Sequence, residues 1–227
     1  MAIPEDILFN VMVGLVDDDT LATMQGNMTS NLLNIRIKNE IISRRTYDFE
    51  EYLELHVDDM KYVKHIIYNK NEPVFEDMFP PNIEYLEFGW YFNQPINENV
   101  LPIKLKRLQF GGCFNHQIHE NVLPIGLTHL IFLNNFNQRI LENVLPNSLT
   151  HLELGDCFSN PIERKVLPDG LNTLIFGYFF NIKIDKDVLP PNLEYLTFGQ
   201  EYNQTLDKGI MPDSLTRLRI GDIVINF

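Results

Sequence analysis

The sequence predicts an α+β protein in which three N-terminal helices precede a solenoid of short parallel β-strands with an extended convex side. Three observations carry this prediction. A phrase recurs every 22 residues, residues inside it alternate as in a strand, and a helix-like apolar period is confined to the start of the chain. We therefore divide the chain into a helical domain at 1–45, an acidic connector with a capping strand at 46–70, and a repeat solenoid at 71–227.

The repeat consists of three constant pieces that keep a 22-residue spacing without one insertion. A Phe-Asn pair or a close variant begins at Phe92, Phe114, Phe136, Phe158, Phe180 and Tyr202. A Leu-Pro step, which is Met-Pro in the last copy, begins at Leu101, Leu123, Leu145, Leu167, Leu189 and Met211. The third piece is L-x-x-L-x-F, as in Leu105, Leu108 and Phe110. A unit this small cannot bury its own apolar face, so neighbouring units must stack.

Each column of the repeat has a physical role that its residue type predicts. The alternation in L-x-F suits a short strand with one face inward. The glycine that follows permits a turn or a close backbone approach, although Leu133 interrupts that column. The Phe column should form an aromatic stack in the interior. Proline recurring at one phase fixes φ and argues against a helical return leg, so we expect an extended one.

Asparagine follows the aromatic residue in most copies and predicts a ladder of side chains. Its members are Asn93, Asn115, Asn137, Asn181 and Asn203. An amide offers both donors and an acceptor to backbone groups that a sharp bend leaves without strand partners. We expect Asn137 to be buried. We also expect a local irregularity in the fourth copy, where Ser159 occupies the column and Asn160 comes one step late.

The repeat also resembles known families. The L-x-x-L-x-F…N pattern resembles leucine-rich repeats, and the segment FNQPI at 92–96 is similar to the FNIP repeat, which is found largely in amoebae and their giant viruses. The resemblance covers about residues 71–224 and implies a leucine-rich-repeat-type solenoid. Short repeats of secreted bacterial effectors are also similar, but an enzyme of that class requires a separate catalytic domain.

The first 45 residues carry a helical period in place of the repeat. One helical face is formed by Ile7, Leu8, Val11, Met12 and Leu15. The acidic run 17–19 with Thr20 can cap a second helix. Ser30 can cap a third helix, whose inward residues would be Leu33, Ile37 and Ile41.

The segment IPEDIL at 3–8, followed by apolar residues at 15 and 21, is similar to the F-box motif. F-box proteins hold a ubiquitin-ligase scaffold through a Skp-type adaptor and present a substrate through repeats. The resemblance implies adaptor contacts by Pro4, Ile7, Leu8, Val11, Leu15 and Leu21. The alternative is a purely structural role, in which the helices cap the first repeat, as solenoids require.

The outward side of the strands is the candidate surface for a protein partner. In L-x-x-L-x-F, the residues that flank the second Leu point away from the core. One outward column is Tyr85, Arg107, His129, His151, Thr173, Tyr195 and Arg217. The other is Glu87, Gln109, Ile131, Glu153, Ile175, Thr197 and Arg219. The residue types vary along both outward columns, whereas the inward columns stay apolar. Packing therefore restricts the inward residues only, and the outward residues are available for recognition.

These observations predict a protein-interaction module, specifically the substrate-recognition subunit of a Skp-cullin-F-box type ubiquitin ligase. Its expected partners are a Skp-type adaptor and a protein substrate that the sequence does not identify. The alternative is a non-enzymatic binding scaffold without a ligase link. We expect a cytoplasmic protein, in the host cytoplasm if the chain is viral, because no signal peptide and no apolar run near the ~20 residues of a membrane span are visible.

Composition argues against several other functions. A net charge of −13 disfavours a nucleic-acid or anionic-membrane partner, because phosphate contacts need clustered Lys and Arg. No convergent metal-ligand set is formed by His116, His119, His129 and His151, and no acid/base pair is recognisable. We therefore predict no catalytic residues, no metal and no cofactor. Cys113 and Cys157 lie two repeats apart, which places their Cα atoms ~9.6 Å apart and beyond disulfide reach.

The C-terminal residues predict an apolar, unpaired strand edge that can associate with another chain. Apolar side chains continue past the last strand phrase at Ile220, Ile223, Val224, Ile225 and Phe227. An uncovered last strand would present unpaired N–H and C=O groups. We expect either a tail that folds back on that strand or end-to-end association.

Overall fold

The computed structural model describes residues 31–207 and 209–227, with side chains from residue 35 onward. These residues fall into two compact units, whose boundary lies between Ile66 and Ile67. The first two predicted helices and all six predicted adaptor contacts lie outside the described residues. The F-box interpretation therefore stays a prediction.

The first unit begins with helix α1 (Asn31–Arg44), which lies where the third helix was predicted. Ile37 is fully buried, as expected, whereas Ile42 takes the inward position that was expected for the half-buried Ile41. Strand β1 (Thr46–Asp48), helix α2 (Phe49–Leu53) and helix α3 (Val57–Met60) follow. Strand β2 (His65–Tyr68) lies where the capping strand was predicted and spans the boundary between the units.

The segment expected to be an acidic connector is folded, and its acidic residues start two short helices. Asp48 caps α2 by accepting a hydrogen bond from the Glu50 N–H at 3.0 Å. Acidic residues occupy the first turns of both helices at Glu50, Glu51, Asp58 and Asp59. Negative charge is favourable there because the N-terminal end of a helix is electropositive. Asp59 also forms a 2.6 Å ion pair with Lys38.

The second unit is a β-solenoid of about eight turns built from 22-residue repeats. Its strands are β3 (Tyr85–Phe88), β4 (Arg107–Phe110), β5 (His129–Phe132), β6 (His151–Glu153), β7 (Thr173–Ile175), β8 (Tyr195–Phe198), β9 (Arg217–Ile220) and β10 (Ile223–Asn226). Strands β3 to β9 are parallel, and each residue pairs with the residue 22 positions later, as Leu108 does with Leu130. The absence of insertions in the sequence explains this constant register.

The return side of each repeat is extended, as predicted, and the described part of 67–227 contains no helix. The proline of each Leu-Pro step opens a tight turn, in which the Leu105 N–H donates to the Pro102 carbonyl at 3.0 Å. A second bend places one residue per repeat at positive φ, between 61° and 89°. These residues are Asp77, Asn99, Asn121, Asn143, Lys165, Asp187 and Gly209. Asn, Asp and Gly tolerate this conformation best, which accounts for most of the column.

The core contains the predicted aromatic stack and a second one beside it. Phe92, Phe114 and Phe136 are buried and stack in sequence with ring centroids 6.2 Å apart, and the stack continues to Tyr202. A parallel column from the strand ends has Phe110 at 5.3 Å from Phe88. The two columns touch within each repeat, for example at 4.0 Å between Phe110 and Phe114. Continuous ring contact thus connects neighbouring repeats through the interior.

The glycine column is explained by close approach of neighbouring repeats rather than by unusual backbone angles. A Cβ atom on Gly111 would overlap the carbonyl oxygen of Gly89 in the preceding repeat. Only the last member of the column, Gly221, has a positive φ, at 55°, and it lies in the turn between β9 and β10. Both roles expected for this column therefore occur, at different repeats.

The asparagine ladder is present, but its position differs from the prediction. The backbone N–H of Asn115 donates to Asn93 Oδ1 at 3.0 Å, and the N–H of Asn137 donates to Asn115 Oδ1 at 2.9 Å. Asn137 is exposed, so the prediction that it is buried is wrong. The bend lies at the surface, where the amide can face water while its oxygen reaches the next repeat.

The irregularity predicted for the fourth copy is present one step further on: among the described residues, the Asn181 N–H finds no side-chain acceptor on Ser159, and the ladder resumes where the Asn203 N–H donates to Asn181 Oδ1 at 3.1 Å. On its other side the fourth copy is regular. The Ser159 N–H donates to Asn137 Oδ1 at 3.0 Å, as the other copies do. Asn160 Nδ2 donates to the same oxygen at 2.7 Å and takes the place that Gln138 Nε2 has one repeat earlier, at 3.0 Å from Asn115 Oδ1. The neighbouring Phe158 keeps its stacking distances. The shorter amide of Asn160 therefore fills the site that the Gln138 amide fills at the same position of the preceding repeat.

The C-terminal tail folds back, which is one of the two outcomes predicted for this end. Strand β10 pairs antiparallel with β9, with Ile223 opposite Ile220 and Ile225 opposite Leu218. This pairing satisfies the outer edge of β9. The side chains of β10 remain exposed on the edge of the sheet.

Candidate protein-binding face

The two outward columns form one continuous surface, which we call the strand face. Residues of the first column are neighbours on adjacent strands from Tyr85 to Arg217, and those of the second from Glu87 to Arg219. The most exposed positions are Tyr85, Tyr195, Arg217 and Arg219, at the two ends of the face. Ile131 is the exception, because only 4% of its surface is exposed. The surface therefore presents mainly polar and aromatic groups, and the apolar side chain of Ile131 is covered.

The middle of the first column is basic. Arg107, His129 and His151 are register neighbours on β4, β5 and β6, and the two imidazole rings stack with centroids 5.3 Å apart. Burial lowers the pKa of His129, and the nearby charge of Arg107 lowers it further. Burial also lowers the pKa of His151, with smaller contributions from His129 and Arg107. Both rings are therefore kept largely neutral near pH 7.

Hydrogen bonding fixes the orientation of the first imidazole. Thr128 Oγ1 donates to the Lys106 carbonyl at 2.9 Å and lies 3.0 Å from His129 Nδ1. A hydroxyl has one proton, and a carbonyl can only accept, so the hydroxyl must act as acceptor toward the ring. His129 thus carries its proton on Nδ1 when neutral. Its Nε2 is then left as an acceptor that can take up a second proton.

Acidic groups lie on the neighbouring part of the face. Glu153 is flanked in register by Ile131 and Ile175. Burial raises the pKa of Glu153, Arg107 opposes this shift, and Asp156 adds to it. A shallow groove of about 290 Å³ runs beside these groups. Its lining includes Glu153, Asp156, Ile175, Tyr178, Gln200 and Arg219.

The structure adds an aromatic rim that the sequence interpretation missed. Trp90 and Tyr91 are exposed just after β3, and Tyr178 and Phe179 are exposed at the same positions after β7. The Trp90 indole lies over Gly112, where a Cβ atom would overlap the ring. A signal was available, since these columns are otherwise small or polar, as at Asn134 and Gln200. Exposed aromatic side chains of this kind are common anchors at protein interfaces.

A second groove lies on the Leu-Pro side of the solenoid. It has a volume of about 390 Å³ and is lined in part by Val100, Pro102, Ile103 and Ile125. Ile103 and Ile125 are 68% and 83% exposed. This Leu-Pro surface is the alternative to the strand face as a binding site for a protein partner.

Comparison with known proteins identifies the repeats. The FNIP Repeat family model matches residues 68–113, 114–157, 136–179, 158–201 and 180–222. The chain belongs to the FNIP repeat family. Together these matches span residues 68–222, about two thirds of the 227 residues, in agreement with the resemblance in the repeat motif.

A solved structure also resembles this FNIP repeat chain. It is the crystal structure of CroV588, described as a novel circular LRR protein, from a giant virus. The two are 39% identical with a TM-score of 0.67, and the match covers 78% of this chain and 29% of that chain. This chain therefore spans less than a third of the length of that protein. No curated protein matches the chain.

Two further observations concern only the part of the chain that the structure describes. Across 31–207 and 209–227, no group of three or more His, Cys, Asp or Glu residues is arranged to hold a metal ion. In the same ranges, no helix has the length and apolar character needed to cross a membrane.

Proposed function

We propose that this FNIP repeat protein is a non-catalytic interaction module that binds a protein partner on its strand face. The observation that carries the proposal is the contrast between the two sides of the same strands. Inward positions such as Leu108 and Leu130 repeat one apolar residue, whereas the outward columns mix basic, acidic, aromatic and apolar residues along the strands. Repeat solenoids of this kind are typical non-enzymatic scaffolds, which is consistent with this role.

Site-specific crosslinking tests the assignment of the face. A photoreactive phenylalanine analogue is placed at Tyr195 on the strand face and, as a matched control, at Ile125 on the Leu-Pro side. We expect protein crosslinks in extracts from Tyr195 only, and we expect excess unlabelled wild-type protein to compete them away. An excess of a Tyr85→Ala/Tyr195→Ala variant should compete poorly. Crosslinks from Ile125 alone would move the partner to the other side of the solenoid.

A finer proposal concerns the N-terminal residues. We infer that the chain is the substrate-recognition subunit of a Skp-cullin-F-box type ubiquitin ligase and acts in the cytoplasm. Support comes from the F-box-like sequence around Ile7 and Leu8 and from its combination with protein-binding repeats. In that role, residues 1–45 bind the Skp-type adaptor while the strand face holds the substrate.

Leu8→Asp separates this proposal from a structural cap. A buried charge in an adaptor contact is costly, so the variant should lose adaptor binding in a pull-down while the repeats keep their thermal unfolding temperature. The cap hypothesis predicts the reverse pair of results, with no adaptor bound by the wild type and lower repeat stability in the variant. Measuring both properties on the same two proteins decides between them.

A further inference from the structure

The centre of the strand face holds a column of nitrogen groups that form no ion pair among the described residues. We call Arg107, His129 and His151 the basic column. Among the described residues, the Arg107 guanidinium forms no ion pair and no hydrogen bond, although other arginines do, such as Arg139 with Glu163 at 2.7 Å. Its charge acts on the Glu153 carboxyl without a direct contact, so the guanidinium fork remains available to a partner carboxylate.

The charged and titratable groups around the column come from the strands on both sides. Strand β3 brings Tyr85 and Glu87, and Lys106 precedes Arg107 at the start of β4. On β6, Glu153 lies beyond His151, followed by Asp156. Strand β7 places the uncharged Thr173 beside His151. Glu84 precedes Tyr85 at the start of β3, where its backbone carbonyl accepts from the Arg107 N–H at 3.0 Å. The basic column therefore has acidic residues on β3 and β6 and basic or neutral residues between them.

The column also becomes more positive as the pH falls. Near neutral pH it carries mainly the charge of Arg107, because the pKa values of both histidines are lowered. Protonation of the two rings would place three positive charges on adjacent strands, about 4.8 Å apart. Such a row is unfavourable in the free protein. Carboxylates placed along it would remove the repulsion and favour the protonated rings.

We propose that the basic column docks an acidic segment of the partner protein and holds it more tightly when both histidines are protonated. The inference rests on the proposed function, since it names the chemistry of a partner on the same face. Charge complementarity carries it. The Arg107 guanidinium is always charged and can donate two parallel hydrogen bonds to one carboxylate. Each protonated imidazole can donate one N–H hydrogen bond to a carboxylate of the partner.

An NMR titration of the full chain with a hexaglutamate peptide tests the inference. The side-chain signals of Arg107, His129 and His151 are followed at pH 8.0 and pH 5.5, where glutamate stays largely ionised. We expect saturable shifts confined to the basic column, with an affinity about tenfold higher at pH 5.5. The pKa values of both histidines should rise in the bound state. Hexalysine should not shift these signals.

Matched variants separate a local site from a general charge effect. Arg107→Gln should weaken hexaglutamate binding about fivefold at both pH values. Arg217→Gln removes the same charge from the same column on β9 and should have little effect. His129→Gln/His151→Gln should abolish most of the difference between the two pH values. Any remaining difference should disappear when Glu153→Gln is added, because Glu153 is the other group on this face whose pKa is shifted.

Three results would overturn the inference. Equal losses in Arg107→Gln and Arg217→Gln would reduce binding to long-range attraction. Equal shifts produced by inorganic phosphate at matched charge would indicate a small-anion site rather than a peptide site. The absence of saturable shifts at both pH values would exclude docking. If Tyr195 still crosslinks a partner in that case, the proposed function stands and only the acidic-segment inference fails.

Discussion

At the scale of single residues, the repeat shows its physical demands most clearly where one copy departs from the others. Tyr202 stands in a column that is otherwise phenylalanine, and Lys165 stands in a bend that is otherwise Asn, Asp or Gly. Both positions recur in the other repeats, so each exceptional residue can be compared with the residue that the other copies have at the same position. Both exceptions should cost stability.

Tyr202→Phe should stabilise the protein. The Tyr202 hydroxyl is buried and finds no hydrogen-bond partner among the described residues. Removing it eliminates an unsatisfied polar group, which should raise the free energy of unfolding by about 1 kcal/mol. Tyr195→Phe, at an exposed tyrosine, is the control and should be neutral. Urea denaturation at pH 7 measures both, and a loss of stability in Tyr202→Phe would show that the hydroxyl has a partner.

The same residue predicts a difference at high pH. Burial raises the pKa of Tyr202 to about 12, above the model-peptide value of 10.0. The folded state therefore favours the protonated phenol, and this contribution is fully present below pH 10 and lost as the pH rises toward 12. The stability advantage of Tyr202→Phe should increase over that range. Other buried tyrosines titrate in both proteins, so the difference between the two proteins is the quantity to measure.

Lys165→Asn should also stabilise the protein. Lys165 is exposed and has a φ of 64°, a left-handed conformation that asparagine adopts at lower cost. The gain should be about 0.5–1 kcal/mol, measured as a higher midpoint of thermal unfolding. Lys104→Asn makes the same chemical change at an exposed position with ordinary backbone angles. If both variants respond alike, the effect belongs to charge and not to backbone strain.

At the scale of elements, neighbouring repeats are connected by three parallel systems. Strand pairing connects them on one side, stacked rings in the interior, and the asparagine ladder at the outer bend. The first two are buried, whereas the ladder is exposed to water. Water can replace part of a lost surface hydrogen bond, so the ladder should contribute less to stability than its regularity suggests.

Asn137→Ala tests that ranking. The variant removes the acceptor of the Ser159 N–H and of the Asn160 amide, at 3.0 and 2.7 Å. We expect a loss of about 1 kcal/mol, because the freed N–H groups lie near solvent. Asn134→Ala, at an exposed asparagine for which the structure shows no side-chain hydrogen bond, should be nearly neutral in the same denaturation experiment. A loss near 3 kcal/mol would mean that water does not reach the bend.

At the scale of the whole molecule, the described repeats contact mainly their sequence neighbours, so stability should be distributed along the array rather than centred in one core. Each repeat supplies a closely similar set of buried residues, and the register of β3 to β9 does not shift. A defect in one repeat should therefore weaken its immediate neighbours most. Distant repeats should sense it only through the loss of cooperativity.

Phe136→Ala tests this local distribution. Phe136 is buried and stacks on Phe114 and Phe158 at 6.2 and 6.1 Å, so truncation should cost about 3–5 kcal/mol through an internal cavity. Amide hydrogen exchange should accelerate most in β5 and β6 and least in β9. Phe179→Ala, at an exposed ring, should leave the pattern unchanged. Uniform acceleration across all strands would indicate a single cooperative core.

The sequence by itself determined the repeat length, the strand positions, the interior aromatic stack, the ladder and the extended return side. Each of these follows from a residue type recurring at one phase, and the equal spacing of Phe114 and Phe136 already requires them to stack. Even the tail was constrained, since apolar residues after Gly221 needed either a fold-back or a partner. Periodicity is a local property, and it is visible without coordinates.

Only the tertiary structure decided which side chains reach water and which meet each other. It placed Asn137 at the surface, covered Ile131, stacked the rings of His129 and His151 and held Trp90 over Gly112. It also folded the acidic segment 46–60 into capped helices. The physical reason is that burial and charge interaction depend on distances between repeats. Those distances are set by backbone packing, which no single column of residues encodes.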